Sequence, residues 1–306
     1  MGKTSRNAKS LITLEELAAR YCSYHFSLSV GSKYLLRRAV ASFETSLTKN
    51  QPATLKSLTD EQVCSWLSSR SKLASKQTVK RERGDLLRMW RWAAKQGWCR
   101  PPGEIPSVKL ARTVPRAWSA NQIALCIRIC SEMRGTISGT KIPLSEWWIA
   151  LLLFIFDTGS RIGAALSVDL TTELCLDRCC VVLSELSAKT DSEQILCLSL
   201  QTCKAIQRLL HKIQECSVGR ATGKLFPWVT DRSRVFAGFR KIRAEAGFPK
   251  RREGFHRIRK SHATYITAAC GIETASRQMG HTTTAMTLAK YVDPILLSEK
   301  IGRAHV

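Results

Sequence analysis

Acidic residues are scarce in this chain. Its 306 residues hold 24 aspartates and glutamates against 48 lysines and arginines, a formal net charge of +24. So large an excess of one sign excludes a self-neutralising surface and implies a polyanionic partner. Nucleic acid is the first expectation, ahead of a membrane surface or a ribosomal or structural role. Long apolar runs are also missing. The strongest, Trp147 to Phe156, covers ten residues, too few to cross about 30 Å of hydrocarbon as a helix, and it reads as a buried core helix. The start, Met1 to Ser10, is polar and basic with no apolar stretch behind it, so no signal peptide is expected. These features predict a soluble, cytoplasmic protein without a membrane partner, nucleoid-associated if the host is bacterial.

The twelve cysteines contain no Cys-x-x-Cys pair, so neither structural zinc nor a disulfide framework is expected. Cys175, Cys179, Cys180 and Cys197 fall in apolar, strand-like runs and read as small buried hydrophobes. Lys3-Thr4 after Gly2 imitates the tail of a phosphate-binding loop but lacks its upstream glycine, which removes that reading. No internal repeat and no low-complexity tract is present.

What is there is mostly helical. Residues 1–10 read as a disordered arm. Thr13-Leu14-Glu15-Glu16 and Thr59-Asp60-Glu61-Gln62 are capping boxes, the first opening a helix through Tyr21, the second leading into Val63 to Ser69. Lys33 to Thr48 and Ser75 to Gly97 complete a four-helix domain over residues 11–99, with Leu86, Leu87, Trp90 and Ala94 as the apolar stripe of the last helix. Up to Thr113 there are 21 lysines and arginines against 8 acidic residues. Lys76, Lys80 and Arg83 share one face of the last helix, and Arg88, Arg91 and Lys95 share another. Such faces are either solvated surface or surface laid against DNA; the one-sidedness of the charge favours DNA.

Prolines cluster between Arg100 and Pro115, so residues 100–117 read as a linker. Ser119-Ala120-Asn121-Gln122 opens a second domain over 118–306. Helices are expected near 119–134 and 144–157, then short strands at Leu174 to Asp177, Cys180 to Glu185 and Gln194 to Leu198. Helical signals resume at Leu200 to Cys216, Arg232 to Ala246, Phe255 to Cys270, Thr274 to Met279 and Thr283 to Tyr291. The class is mainly α with a small antiparallel sheet, an α+β fold.

The chemistry sits late in the chain. His256 and Arg259 lie three apart, on one face of a helix; Gly280-His281 follows, then Tyr291. Upstream, Thr158-Gly159-Ser160-Arg161 supplies a second arginine, and Lys189 falls in a predicted hairpin. This set suits breaking a phosphodiester without a metal. Arg161 and Arg259 can hold the nonbridging oxygens in bidentate geometry and stabilise the added transition-state charge, with His281 as a third donor. Tyr291 is the candidate nucleophile, His256 its base and Lys189 the acid for the leaving 5′ oxygen. Lys250, Arg251 and Arg252, just before His256, are candidates for backbone phosphates. Tyr265 and His262 read as core or supporting residues.

In this order the motifs resemble the tyrosine recombinase (phage integrase) family. Asp157-Thr158-Gly159-Ser160-Arg161-Ile162-Gly163 is similar to its first arginine box. His256-Arg257-Ile258-Arg259 is similar to its second, Gln278-Met279-Gly280-His281 to its Leu-Gly-His box, and Ala289-Lys290-Tyr291-Val292-Asp293-Pro294 to its nucleophile segment. The resemblance implies a site-specific DNA recombinase: a helical core-binding domain and a catalytic domain clamp duplex DNA. Tyr291 would form a 3′-phosphotyrosyl bond, needing neither metal, ATP nor other cofactor. Four protomers would act through a Holliday junction, a homotetramer on DNA and a monomer or weak oligomer when free. The tail Ile295 to Ile301 would dock as a helix, on its own domain or on a neighbour. No arm-site reader is expected before residue 11. The sequence departs from the family at Ala164, where an acidic residue is usual, with Glu185 or Asp191 as candidate substitutes. It departs again in the His281–Tyr291 spacing, one residue longer than usual, which Thr282-Thr283-Thr284 could absorb. Two other functions share the features: a catalytically inactive DNA-binding accessory protein and a type IB topoisomerase-like DNA relaxer.

Overall fold

The computed structural model of the chain describes residues 12–47, 53–111, 113–184, 193–215, 223–227, 232–248 and 254–303, the side chains of 299–303 excepted. It divides into two compact units, Met1–Arg112 and Thr113–Val306. No helix among the described residues is long and apolar enough to cross a membrane.

In the first unit the described helices are α1 (Leu14–Tyr24), α2 (Val30–Glu44), α3 (Asp60–Leu73) and α4 (Lys76–Lys95). Each starts where a hydroxyl can accept one of the orphan amides of the first turn. Thr13 takes the Glu16 amide, Ser29 that of Ser32, Thr59 that of Gln62 and Ser75 that of Thr78. The Ser29 cap moves the start of α2 three residues ahead of Lys33. Leu14, Leu17, Leu36, Val40, Phe43, Trp66, Leu86 and Trp90 form one apolar core. Across α3 and α4 the buried Glu82 carboxylate receives Arg70 Nε at 2.8 Å and its Nη2 at 3.0 Å. Residues 100–111 have no helix or strand. Polar ties hold them to this unit: Trp90 Nε1 to the Arg100 carbonyl at 2.7 Å, the Gly103 amide to Asp60 Oδ1 at 2.9 Å, and the Arg83 guanidinium to the Ile105 carbonyl.

The second unit opens with α5 (Ala120–Glu132), where Ser119 and Gln122 close a complete capping box. The apolar run becomes α6 (Leu144–Thr158), with eight buried hydrophobic residues at its centre, from Trp147 to Ile155. Being apolar all round, it must be enclosed, and it packs against α5, α8 (Leu200–Glu215) and α10 (His256–Cys270). Gly159 ends it in the left-handed region at φ 60°, and the single turn α7 (Ile162–Ala165) follows.

Strands β1 (Leu174–Cys175), β2 (Cys180–Leu183) and β3 (Gln194–Cys197) form an antiparallel sheet in the order β1-β2-β3. β1 is shorter than Leu174 to Asp177 because the chain turns before Cys179, which sits at φ 47°. The cysteine expectation fails here: Cys175, Cys179 and Cys180 are half-buried and Cys197 is exposed. In the strands, alternation puts Val181, Leu183 and Leu196 on the core side and not Cys175, Cys180 or Cys197, while Cys179, in the turn, packs partly against the core. The rest is α9 (Arg232–Glu245), α10, α11 (Ile272–Gln278), α12 (Thr284–Lys290) and α13 (Pro294–Arg303). The tail helix α13 packs on α10 of its own unit. The architecture is mainly α with a small antiparallel sheet, as the periodicities imply.

Candidate active site

The Thr158-Gly159-Ser160-Arg161 turn is a compact device. The Thr158 hydroxyl donates back to the Phe154 carbonyl at 2.7 Å and accepts from the Ser160 amide at 3.2 Å. Gly159 then reverses the chain at positive φ. A Cβ there would lie 2.4 Å from His262 Cδ2, so only glycine fits on two counts. Arg161 caps α7 and stands half-buried at the site. His262, 2% exposed beneath this turn, donates Nδ1–H to the Phe156 carbonyl at 2.9 Å, since a carbonyl can only accept. Burial lowers its pKa to about 4.

Arg259 is the hub. It is buried on α10 and its guanidinium reaches the Gly159 carbonyl and, at 2.8 Å, the Met279 carbonyl. One side chain therefore joins three segments that the sequence separates by up to 120 residues. Its Nη2 also lies 3.4 Å from His281 Nε2, and its Cζ lies 5.4 Å from the Tyr291 ring centre. Tyr291 ends α12, with ring centres 4.5 Å from His281 and 5.2 Å from His256. The longer His281–Tyr291 interval does not displace the tyrosine from the cluster. Thr283 caps α12, its hydroxyl accepting the Met286 amide at 3.3 Å.

Electrostatically the cluster sets two guanidiniums beside two histidines. Burial and then the charge of Arg161 lower the Arg259 pKa, yet the guanidinium stays cationic. Burial, then Arg259 and Arg161, bring His281 to about 4. His256 also falls to about 4, first by desolvation and then through Arg259, Lys260 and Arg161. All the cations disfavour one another, and an anion among them would relieve this. Both histidines are neutral near pH 7. His281 Nδ1 is 2.8 Å from the buried Thr287 hydroxyl, which can donate or accept and so supports either tautomer.

Thus Arg161, His256, Arg259, His281 and Tyr291 come together. Lys189, Lys250, Arg251 and Arg252 lie outside the described residues, as do Glu185 and Asp191. Ala164 is buried in the apolar core, so hydrophobic contact holds α7 at that position. On α4, Lys76 and Lys80 are exposed, whereas Arg83 is half-buried against the Ile105 carbonyl. The one-sided charge expected of the neighbouring face is corrected at Arg88, which pairs with Asp85. Tyr265 is partly buried, and its hydroxyl accepts the Ala120 amide at 2.7 Å.

Sequence reading missed the supports. Asp293 is buried and accepts the Ala117 amide at 2.8 Å and the Ile295 amide at 3.0 Å, while its own amide donates to Thr264 Oγ1 at 2.9 Å. This fastens the chain just after Tyr291 to α10. Asp before Pro294 is a helix-start signal and could have been read. Thr287 has no such signal.

The model of the phage integrase family matches residues 130–295, more than half of the chain. The chain belongs to that family, the tyrosine recombinases. Its fold is similar to that of the Tn1549 transposon integrase in complex with transposon right end DNA (TM-score 0.70, 14% identity, covering 96% of this chain and 100% of that one). It is also similar to XerH site-specific recombinase bound to difH substrate (0.66, 14%, 95% and 83%) and to lambda integrase in a tetramer bound to a Holliday junction (0.65, 14%, 92% and 80%). No curated protein sequence matches it.

Proposed function

We propose that this chain is a site-specific DNA recombinase that cleaves and rejoins duplex DNA through a 3′-phosphotyrosyl bond on Tyr291. The observation that carries the reading is the seating of the Tyr291 ring against His281, His256 and the Arg259 guanidinium. In the proposed reaction Arg161 and Arg259 clasp the nonbridging oxygens of the scissile phosphate. His281 donates Nε2–H to a third contact, with Nδ1 accepting from Thr287. His256, neutral and at the solvent edge, takes the phenol proton as Tyr291 attacks phosphorus. The P–O5′ bond breaks and Lys189 protonates the leaving oxygen. The phosphotyrosyl bond preserves the energy of the diester, so a 5′-hydroxyl from a partner strand reverses the step. DNA, a Holliday junction and a tetramer are the partners and assembly in this reading, as in the lambda integrase complex. Lys76, Lys80, Lys250, Arg251 and Arg252 are assigned to the DNA backbone, with Arg83 bracing the segment beside them.

The test is a set of nicked suicide duplexes tiled across the DNA flanking its gene. A covalent adduct is expected on one of them, absent in Tyr291→Phe. Arg161→Ala should cost on the order of 10²–10³ in adduct formation. No adduct on any duplex, with binding intact, would favour an inactive DNA-binding protein. Near-normal cleavage by Arg161→Ala would sink the site assignment.

A further inference from the structure

Away from the site, the small sheet carries thiols in a row. Cys175 on β1 registers with Cys180 on β2, and Cys180 registers with Cys197 on β3. Directly opposed strand residues share a face, so three thiols stand side by side across the sheet. The alternating Val181, Leu183 and Leu196 are buried, while Ile195 is 72% exposed and Cys197 is exposed. The row therefore lies on the outer face, within reach of small reagents.

The two neighbouring pairs differ in backbone geometry. The Leu198 amide donates to the Cys179 carbonyl at 2.7 Å, which makes 179 and 198 a hydrogen-bonded pair and 180 and 197 a non-hydrogen-bonded one. On the other edge the Val182 amide donates to the Glu173 carbonyl at 2.8 Å, so 175 and 180 form a hydrogen-bonded pair. Cβ atoms come closest in non-hydrogen-bonded pairs, and a disulfide needs them about 3.5–4.5 Å apart. The favoured bridge is thus between Cys180 and Cys197. Burial, then Cys175 by charge and by a side-chain hydrogen bond, then Cys197, raise the Cys180 thiol, so both neighbouring thiols lie close to it and the strand geometry decides between them.

We propose that Cys180 and Cys197 are a reversible redox pair that a peroxide converts into a cross-strand disulfide. Hydrogen peroxide oxidises the exposed Cys197 thiol to a sulfenic acid and leaves one water. The Cys180 sulfur displaces the hydroxyl, forming the S–S bond and releasing a second water. Two electrons leave the thiols and the peroxide O–O bond takes them. A dithiol reductant reverses the step by exchange. The bridge locks β2 to β3. A consequence for DNA cleavage rests on the role proposed for Lys189; the disulfide itself does not.

The experiment treats the reduced full chain with hydrogen peroxide, blocks remaining thiols and maps peptides by mass spectrometry without reduction. The expected result is a link between the peptides holding Cys180 and Cys197 in most molecules. It should persist in Cys179→Gly, Cys203→Ala and Cys175→Ser, vanish in Cys180→Ala and Cys197→Ser, and open with dithiothreitol. Cys197 is exposed, so Cys197→Ser separates loss of the bridge from loss of the fold. No link, a sulfinic acid at Cys197 in its place, or a link that survives Cys197→Ser would overturn the proposal.

Discussion

At the scale of single residues, the site is governed by what fits beneath Arg259. Gly159 meets two independent constraints, a left-handed backbone and the His262 ring where a side chain would go. Gly159→Ala should destabilise the second unit by roughly 2–4 kcal/mol, from backbone strain plus overpacking. Urea denaturation measures this, and an unchanged midpoint would contradict the packing argument. His262 sets a pH dependence. Its folded pKa of about 4 lies below the ordinary 6.5, so the unfolded chain takes up the proton first. Its contribution is complete above about pH 6.5 and is lost as the pH falls from 6.5 towards 4, on the order of a few kcal/mol. Denaturation at several pH values should show this slope, and His262→Leu should flatten it. His256, Arg259, Gly280-His281 and Tyr291 were readable because their chemistry is distinctive. His262 was readable as a core or supporting residue; Thr287 was not, since a threonine on a helix looks the same whether or not it touches the site.

At the scale of elements, the tyrosine is placed by α12 and by the start of α13. Asp293 is the clamp: its carboxylate holds Ala117 and Ile295, and its amide holds Thr264 on α10. Asp293→Ala should cost about 1–2 kcal/mol, through a lost cap and an unpaired buried amide. In the proposed reaction it should slow adduct formation while leaving DNA affinity unchanged, which single-turnover cleavage and a binding isotherm separate. Equal loss of both would mean that Asp293 supports the fold without positioning Tyr291. Element type and order followed from capping residues and apolar periodicity. Boundaries moved where a cap went unread, as at Ser29, or where a turn cut a strand short, as before Cys179. The cysteines were misjudged for a related reason: in a strand of alternating faces, one step of register decides burial.

At the scale of the molecule, net charge is the dominant property. With +24 on 306 residues, duplex binding should be driven by counterion release. Should it neutralise about 6–10 phosphates, affinity should fall by about 10³–10⁵ between about 50 and 200 mM salt. Fluorescence anisotropy on duplexes of mixed sequence tests this, and a flat salt response would remove DNA as the partner. The charge is distributed over both units, and each has its own apolar core.

The sequence by itself determined the helical class, the small sheet, the excess of basic residues and which side chains to propose for the site. These depend on local periodicity, capping and residue chemistry, which act over a few neighbours. Tertiary structure alone decided that Arg259 reaches both Gly159 and Met279, that His262 fills the space a Cβ at residue 159 would need, and that Tyr291 closes on His281 despite the longer interval. It also aligned Cys180 with Cys197. Each of these depends on atoms distant in the chain meeting at hydrogen-bond or van der Waals range, and only the packed core brings them there.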